Sequence, residues 1–145
     1  MPLEIPDALR KEHHSLHSQL SHLLSGSGKV KEAAALIERS LSPHFRKEES
    51  YALPLLGLLP DLAEGRDLPD LEAAATMARL LEQELPGMLA DHAEIVGLLK
   101  GLVDGAAAEE DPDAFSFSVA LKDHALFEEA VLYPAARLVG RSLKK

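Results

Sequence analysis

The sequence predicts an all-α protein, an up-down-up-down bundle of four helices, on three observations. Good helix formers such as Leu, Ala, Glu, Lys and Arg are abundant, whereas β-branched residues are few. Four segments carry apolar residues at helical spacing. Glycine and proline separate these segments, and short links favour antiparallel neighbours. The 145 residues fit a single domain, residues 1–145, and their 46% apolar content is enough to build a core.

The first two helices are defined by their apolar stripes and by the residues that bound them. Pro6 and Asp7 suit the first turn of the first helix, and the Gly-Ser-Gly run at 26–28 ends it. Its apolar face consists of Leu9, Leu16, Leu20, Leu23 and Leu24. The second helix is predicted from about Lys29 into the low 50s. Its inward stripe consists of Ala33, Ile37, Leu41, Phe45 and Ala52. Prolines and glycines then make residues 55–68 a connection, with room for a short helical turn.

The third helix is predicted from about Pro69 to Val103. As one straight helix it would be roughly 50 Å long at 1.5 Å per residue, which is too long to match its neighbours. We therefore expect a kink or a break at Pro86-Gly87. The Gly-, Ala- and acid-rich residues 104–113 are predicted to form a loop. The fourth helix is predicted from near Pro112 to near Gly140.

Polar residues stand at positions that the apolar periodicity assigns to the core. Each helix has one such histidine, and the four are His13, His44, His92 and His124. Glu48 and Glu128 follow two of these histidines by four residues, so each His/Glu pair lies on one helix face. A buried carboxylate is costly unless it is paired or bound to a metal. Two carboxylates that converge in one core therefore predict a pair of divalent metals between them.

An internal repeat supports this constellation. Residues 44–54 read HFRKEESYALP and residues 124–134 read HALFEEAVLYP, so both follow H-x-x-x-E-E with proline ten after the histidine. The preceding helices correspond as well, with Leu9, His13, Leu16 and Leu20 matching Met88, His92, Ile95 and Leu99. Two equivalent helix pairs imply a pseudo-two-fold bundle, with a symmetric dinuclear centre on its axis.

A ferritin-like di-iron bundle is the alternative scaffold, and its motif can be tested directly. Such bundles use Glu-x-x-His, with the glutamate three residues before the histidine. The residues at that offset here are Arg10, Leu41, Leu89 and Leu121, and none of them is acidic. The ferritin-like arrangement is therefore disfavoured.

Over essentially its whole length the chain resembles the hemerythrin-like family, or HHE cation-binding domain. The resemblance is carried by Lys11-Glu12-His13, by the two H-x-x-x-E-E motifs with their prolines, and by the histidine on the third helix. It implies that His13, His44, His92 and His124 are terminal ligands and that Glu48 and Glu128 bridge two metals. It favours iron, with an oxo or hydroxo bridge, although Mn and Zn also accept imidazole and carboxylate ligands.

Two positions depart from the oxygen-carrying hemerythrins. Met88 stands where those proteins have a second third-helix histidine, and Glu129 stands where they have an aspartate. Four histidines with two glutamates look more like the bacterial proteins that repair iron centres. His17 could be an extra ligand, an outer partner or a histidine at the bundle end. Its repeat equivalent, Val96, argues against a symmetric ligand role.

Several further polar side chains have an expected place. Glu49 and Glu129 lie about 100° around the helix from the ligand glutamates, so we expect them to be exposed or to support the ligands, with substitution of one of them as a bridge as the alternative. Tyr51 should face inward, either to hydrogen-bond near the centre or to pack. His14 and His22 should face solvent.

Composition excludes several function classes. The net charge of −9 and the scattered basic residues disfavour nucleic-acid binding. The chain has no cysteine, which rules out disulfides, thiolate zinc sites and cysteine-held iron–sulfur clusters. No signal peptide or membrane span is recognisable, so we expect a cytoplasmic protein without membrane or nucleic-acid partners.

Three functions remain open at this point. The first is a di-iron protein that binds or senses O2, NO or peroxide. The second is a di-iron redox enzyme that acts on NO or peroxide, or a donor of iron for the repair of iron centres. The third is a non-catalytic helical interaction module. The physiological ligand, any protein partner and the oligomeric state are not predicted.

Overall fold

The computed structural model describes residues 3–143, and within them every regular element is a helix. In chain order these are α1 (Asp7–Leu24), α2 (Gly28–Tyr51), α3 (Leu53–Leu56), α4 (Leu59–Ala63), α5 (Leu71–Glu109), α6 (Pro112–Phe127), a π-helical segment (Glu128–Leu132) and α7 (Tyr133–Ser142). The all-α prediction is therefore confirmed for this part of the chain. No helix within it combines the length and apolar character needed to cross a bilayer.

Four long helices surround the core. Helix α1 packs against α2 and α6, and α5 packs against the same two helices, so the four form a closed ring. Helix α7 extends the line of α6 through the π-helical segment and packs against α3 and α5. The predicted bounds of the first, second and fourth helices agree with these elements. The predicted connection at 55–68 contains the second half of α3 and all of α4.

The predicted C-terminal end of the third helix was wrong, and of the two alternatives expected at Pro86-Gly87, a kink or a break, the break does not occur. Helix α5 runs without a break through Pro86, and it continues to Glu109, so the predicted loop at 104–113 is helical over its first six residues. A proline removes one backbone donor from a helix interior, a loss that the packing of the surrounding turns can offset. Ala106, Ala107 and Ala108 are strong helix formers.

The end of α5 is held against the start of α2. A Cβ added to Gly105 would lie 3.3 Å from the backbone of Lys29 and Val30, so the two chains approach closely there. The Glu109 carboxylate accepts hydrogen bonds from the backbone N–H of Lys29 at 2.6 Å and of Val30 at 3.4 Å. Gly28 adopts φ 83°, which a side chain would strain. These contacts explain why the Gly- and Ala-rich segment is helical.

The buried apolar residues form two separate clusters along the bundle. One cluster joins α1, α2, α5 and α6 around Leu20, Leu41 and Phe117. The other joins the far ends of α2 and α5 to α3, the π-helical segment and α7, around Leu55 and Met88. A layer of buried polar side chains lies between them along the helices, and it contains the predicted metal ligands.

Candidate metal centre

The structure brings the six predicted ligand side chains together in the polar layer. His13 lies on α1, His44 and Glu48 on α2, and His92 on α5. His124 lies on α6, and Glu128 is the first residue of the π-helical segment. All six are buried, with relative exposures between 0% and 4%. In each helix the ligand position falls in the same stripe as the apolar core residues, so folding of the amphipathic helices directs all six inward.

The six side chains form two groups of four with metal-binding geometry. One group is His13, Glu48, His124 and Glu128, and the other is His44, Glu48, His92 and Glu128. Within each group the ligand atoms lie within 4.8 Å of one another. Both glutamates are common to the two groups, so the groups are adjacent halves of one centre.

Each shared glutamate directs one carboxylate oxygen into each half. Glu48 Oε1 lies 3.3 Å from His13 Nε2, while Glu48 Oε2 lies 3.2 Å from His44 Nε2. Glu128 Oε2 lies 3.0 Å from His124 Nε2, while Glu128 Oε1 lies 3.0 Å from His92 Nε2. This is the arrangement that carboxylates need in order to bridge two cations.

Each histidine is oriented by a second carboxylate on a neighbouring helix. His13 Nδ1 lies 2.9 Å from Glu49, and His92 Nδ1 lies 2.7 Å from Glu129. His44 Nδ1 lies 3.0 Å from Asp91, and His124 Nδ1 hydrogen-bonds Glu12. We call these four the outer carboxylates: Glu12, Glu49, Asp91 and Glu129. The carboxylates accept the Nδ1 hydrogens, which leaves each Nε2 lone pair facing the centre.

The outer carboxylates follow the internal repeat, and the sequence holds a signal for all four. Glu12 and Asp91 immediately precede the histidines of the first and third long helices. Glu49 and Glu129 immediately follow the shared glutamates. We expected Glu49 and Glu129 to be exposed or to support the ligands, and in the structure both are about 42% exposed and hydrogen-bonded to predicted ligand histidines. No role was predicted for Asp91 from the sequence, although Asp91 precedes a histidine just as Glu12 does.

Several buried polar atoms at the centre have no hydrogen-bond partner among the described residues. They are His13 Nε2, Glu48 Oε1, His124 Nε2 and Glu128 Oε2. All four belong to one of the two groups. Buried polar atoms are nearly always satisfied, because each unsatisfied one costs its full desolvation energy. With Nδ1 as the donor, the lone pairs of neutral imidazoles here face carboxylate oxygens, and either a proton or a metal cation between them would relieve the repulsion. The donor set therefore fits a metal ion.

The pKa values in the metal-free centre also indicate that it favours bound cations. Burial lowers the pKa of His13, but the nearby carboxylates Glu128, Glu48 and Glu49 outweigh it and raise that pKa to about 10. The pKa values of His92 and His124 are also raised, again because neighbouring carboxylates outweigh burial. Burial raises the pKa of Glu128, but the surrounding histidines hold it well below its ordinary value. The centre thus binds positive charge strongly, as protons when no metal is present.

Tyr133 is a residue of the centre that sequence reasoning missed. Its hydroxyl donates a hydrogen bond to Glu48 and lies 3.1 Å from Nε2 of both His44 and His92. Burial and the charges of Glu48 and Glu128 raise its pKa, so the metal-free protein has a neutral phenol here. Tyr133 is nine residues after His124, which in a regular α-helix is the opposite face, about 180° away.

The π-helical segment between these two residues changes that register. A π turn takes about one residue more than an α turn, so the residue after it is rotated back by about 100°. Glu128–Leu132 forms such a turn, and Tyr133 follows it at the start of α7. No pattern in the sequence marks this segment, because Glu128 to Leu132 would also suit an α-helix.

The remaining candidate side chains lie outside the two groups. His17 is partly buried and packs edge-on against the ring of Phe45, with centroids 5.1 Å apart. Tyr51 is buried as expected, but its hydroxyl has no hydrogen-bond partner in the described chain, which favours the packing role. Burial, with Glu84, Asp91 and Glu48 nearby, raises the pKa of Tyr51 to about 12. His14 and His22 are exposed, as predicted.

The chain matches the model of a known protein family. A family model described as the hemerythrin HHE cation-binding domain matches residues 4–136. That span is more than nine-tenths of the chain, and it contains all six predicted ligand positions and Tyr133. No curated protein and no solved structure matches the chain.

Proposed function

Because the chain belongs to the hemerythrin HHE cation-binding domain family, we propose that it is a di-iron protein that binds or senses O2, NO or peroxide. In this proposal His13, His44, His92 and His124 are terminal ligands, while Glu48 and Glu128 bridge. The fold is then one up-down-up-down four-helix bundle, with α6, the π-helical segment and α7 together serving as the fourth helix. Cytoplasmic residence stays a prediction from the sequence.

The single observation that carries the proposal is the division of each shared carboxylate between the two halves. Glu48 and Glu128 each present one oxygen to His13 or His124 and the other to His44 or His92. A mononuclear site would not need two complete sets of two histidines and two carboxylate oxygens. Imidazole and carboxylate ligands suit iron, manganese and zinc, and iron is our proposal because of its chemistry with diatomic gases.

A pair of iron ions would supply redox chemistry and a coordination position for a diatomic molecule or peroxide. The chain's own residues prepare that position. The outer carboxylates hold the imidazoles in one orientation and increase their basicity as ligands. The apolar clusters on both sides of the polar layer exclude bulk water from it. A small uncharged molecule can pass such packing more readily than a large organic substrate can.

Metal loading of the full chain tests the proposal. Metal-free protein is titrated anaerobically with Fe(II), and the bound metal is measured after removal of excess. We expect two iron ions per chain, one for each group of four ligands. Parallel titrations with Mn(II) and Zn(II) test the preference for iron. Binding of less than one metal ion per chain would refute the dinuclear centre and would favour a helical interaction module.

Exposure of the iron-loaded protein to ligand separates the two metal-dependent functions. O2, NO and hydrogen peroxide are added separately, while the absorption spectrum and the consumption of ligand are followed. A stable adduct in a stoichiometric amount would support binding or sensing. Many turnovers per centre would overturn this assignment in favour of a redox enzyme. Metal-free protein serves as the control for both measurements.

A further inference from the structure

The hydroxyl of Tyr133 occupies a position in the centre that resembles that of a ligand. The side chain is buried, with 2% relative exposure. Its Oη lies 3.1 Å from His44 Nε2 and 3.1 Å from His92 Nε2, and it hydrogen-bonds Glu48 Oε2. These three atoms belong to the same half of the centre. Tyr133 therefore faces a set of donors for one metal rather than the space between the two halves.

The spacing fits a shared coordination sphere. Metal bonds to nitrogen and oxygen of about 2.1 Å give neighbouring ligand atoms of an octahedron separations of about 3.0 Å. Four separations are close to this value: 3.1 Å from Oη to each histidine nitrogen, 3.2 Å from His44 Nε2 to Glu48 Oε2, and 3.0 Å from His92 Nε2 to Glu128 Oε1. The contact between Tyr133 Oη and Glu48 Oε2 is shorter, and His92 Nε2 lies 3.9 Å from Glu48 Oε2. The phenol oxygen thus lies where a vertex of that polyhedron would be.

Among residues 3–143, no side-chain oxygen takes the equivalent place in the other half of the centre. The internal repeat places Leu53 at the position that corresponds to Tyr133, nine residues after the histidine. The ring of Phe45 stacks on His13 in that half, with centroids 3.9 Å apart and an angle of 12° between the planes. Carbon atoms of these side chains cannot coordinate a metal. The two halves, although equivalent in their histidines and glutamates, therefore differ at this position.

From this asymmetry, and resting on the proposed metal function, we propose that Tyr133 is a further ligand of the metal held by His44 and His92. Phenolate oxygen is an established ligand of ferric iron in proteins. On coordination the O–H bond of the phenol breaks, the Oη–metal bond forms, and the proton is released to solvent, as is general for acidic metal ligands. The metal held by His13 and His124 keeps one protein ligand fewer, so the exogenous molecule binds there.

Spectroscopy of the iron-loaded full chain tests this assignment. A phenolate bound to Fe(III) gives a charge-transfer band in visible light, and excitation within that band enhances tyrosinate ring vibrations in the resonance Raman spectrum. The chain has only two tyrosines, so Y133F and Y51F together cover every source of such a signal. We expect the band and the ring vibrations in wild type and in Y51F, and their loss in Y133F. Y133F should still bind two iron ions.

The same samples distinguish failure of this inference from failure of the proposed function. If wild type holds two iron ions but shows no tyrosinate vibrations, Tyr133 is a hydrogen-bond donor only and the inference is wrong. If the vibrations survive in Y133F, Tyr133 is likewise not the ligand. If wild type binds no iron, both proposals fail. If Y133F folds poorly, Fe(III) in the wild-type protein is exchanged for Zn(II), and far-UV circular dichroism checks that the fold is unchanged. Loss of the tyrosinate vibrations on this exchange would identify the visible band as a tyrosinate–iron band. Persistence of the vibrations in the zinc-loaded protein would refute the assignment.

Discussion

Glu49 on α2 lies with its carboxylate 2.9 Å from His13 Nδ1 on α1, and Glu129 stands in the same relation to His92 at 2.7 Å. Each carboxylate belongs to a different helix from the histidine that it orients. Together with Glu12 and Asp91 they link all four long helices through the ligand imidazoles. The orientation of the ligands is thus a property of the assembled bundle.

Substitution of an outer carboxylate should weaken metal binding without unfolding the protein. Glu49→Ala removes the acceptor that fixes His13, and loss of such a partner typically reduces metal affinity about 10- to 100-fold. Competition with a chelator of known affinity measures the change. Glu38→Ala, an exposed position on the same helix, is the matched control and should bind metal as wild type does. Equal affinities for the two variants would contradict a supporting role for Glu49.

Removal of both shared carboxylates should abolish most metal binding. Glu48→Ala combined with Glu128→Ala takes away four of the oxygens that face the two halves. The histidines alone would then offer each metal only two neutral nitrogens. Metal analysis after dialysis checks the result, and circular dichroism checks that the helices remain. Full metal content in this double variant would show that neither glutamate bridges.

The stability of the metal-free protein should fall as the pH rises above neutrality. Carboxylates raise the pKa of buried His13 from 6.5 to about 10. A raised folded-state pKa contributes stability that is complete below about pH 6.5 and is lost as the pH rises towards about 10. Urea unfolding of the metal-free protein across this range measures the slope.

Two controls assign the pH dependence to the buried histidines of the centre, which are His13 together with His92 and His124. In the metal-loaded protein these imidazoles carry no proton at Nε2, so the loss of stability over this pH range should be much smaller. His22→Ala removes an exposed histidine and should leave the slope of the metal-free protein unchanged. A metal-free protein whose stability is constant or rises across this range would contradict the predicted protonation.

The contact between Glu109 and the start of α2 should contribute to global stability. The side chain of Ser27, at the N-cap position, makes no capping hydrogen bond, and Glu109 accepts from Lys29 N and Val30 N instead. We expect Glu109→Ala to cost about 1 kcal/mol, the usual value of a helix N-terminal acceptor. Thermal unfolding measures the loss. Asp104→Ala, exposed on the same helix, should change stability by less than about 0.5 kcal/mol.

Periodicity and the internal repeat were sufficient to predict the helical class and to predict that six polar side chains point inward and converge. A histidine such as His92 within an apolar stripe has one position relative to the core, whatever the details of packing. The repeat added the pairing of Glu48 with Glu128, which no single helix could have provided. Whether these side chains bind metal stays a proposal.

Features that depend on contacts between distant segments could not be predicted. The extension of α5 beyond Val103 depends on the close approach of Gly105 to the backbone of α2, which composition does not reveal. The part played by Tyr133 depends on a single π turn that shifts the helical register before it. A rule based on α-helical spacing directs attention to Tyr51 instead, seven residues after His44.

The separation of the apolar core into two clusters has a consequence for cooperativity. Leu41 and Met88 belong to different clusters, and a layer of buried ionisable side chains lies between these clusters along the helices. Multivalent ions coordinated by side chains from several helices in that layer would couple the unfolding of the two apolar clusters. In the metal-free protein, amide hydrogens around the two clusters should exchange with solvent at unequal rates, because the two clusters would then open as separate cooperative units.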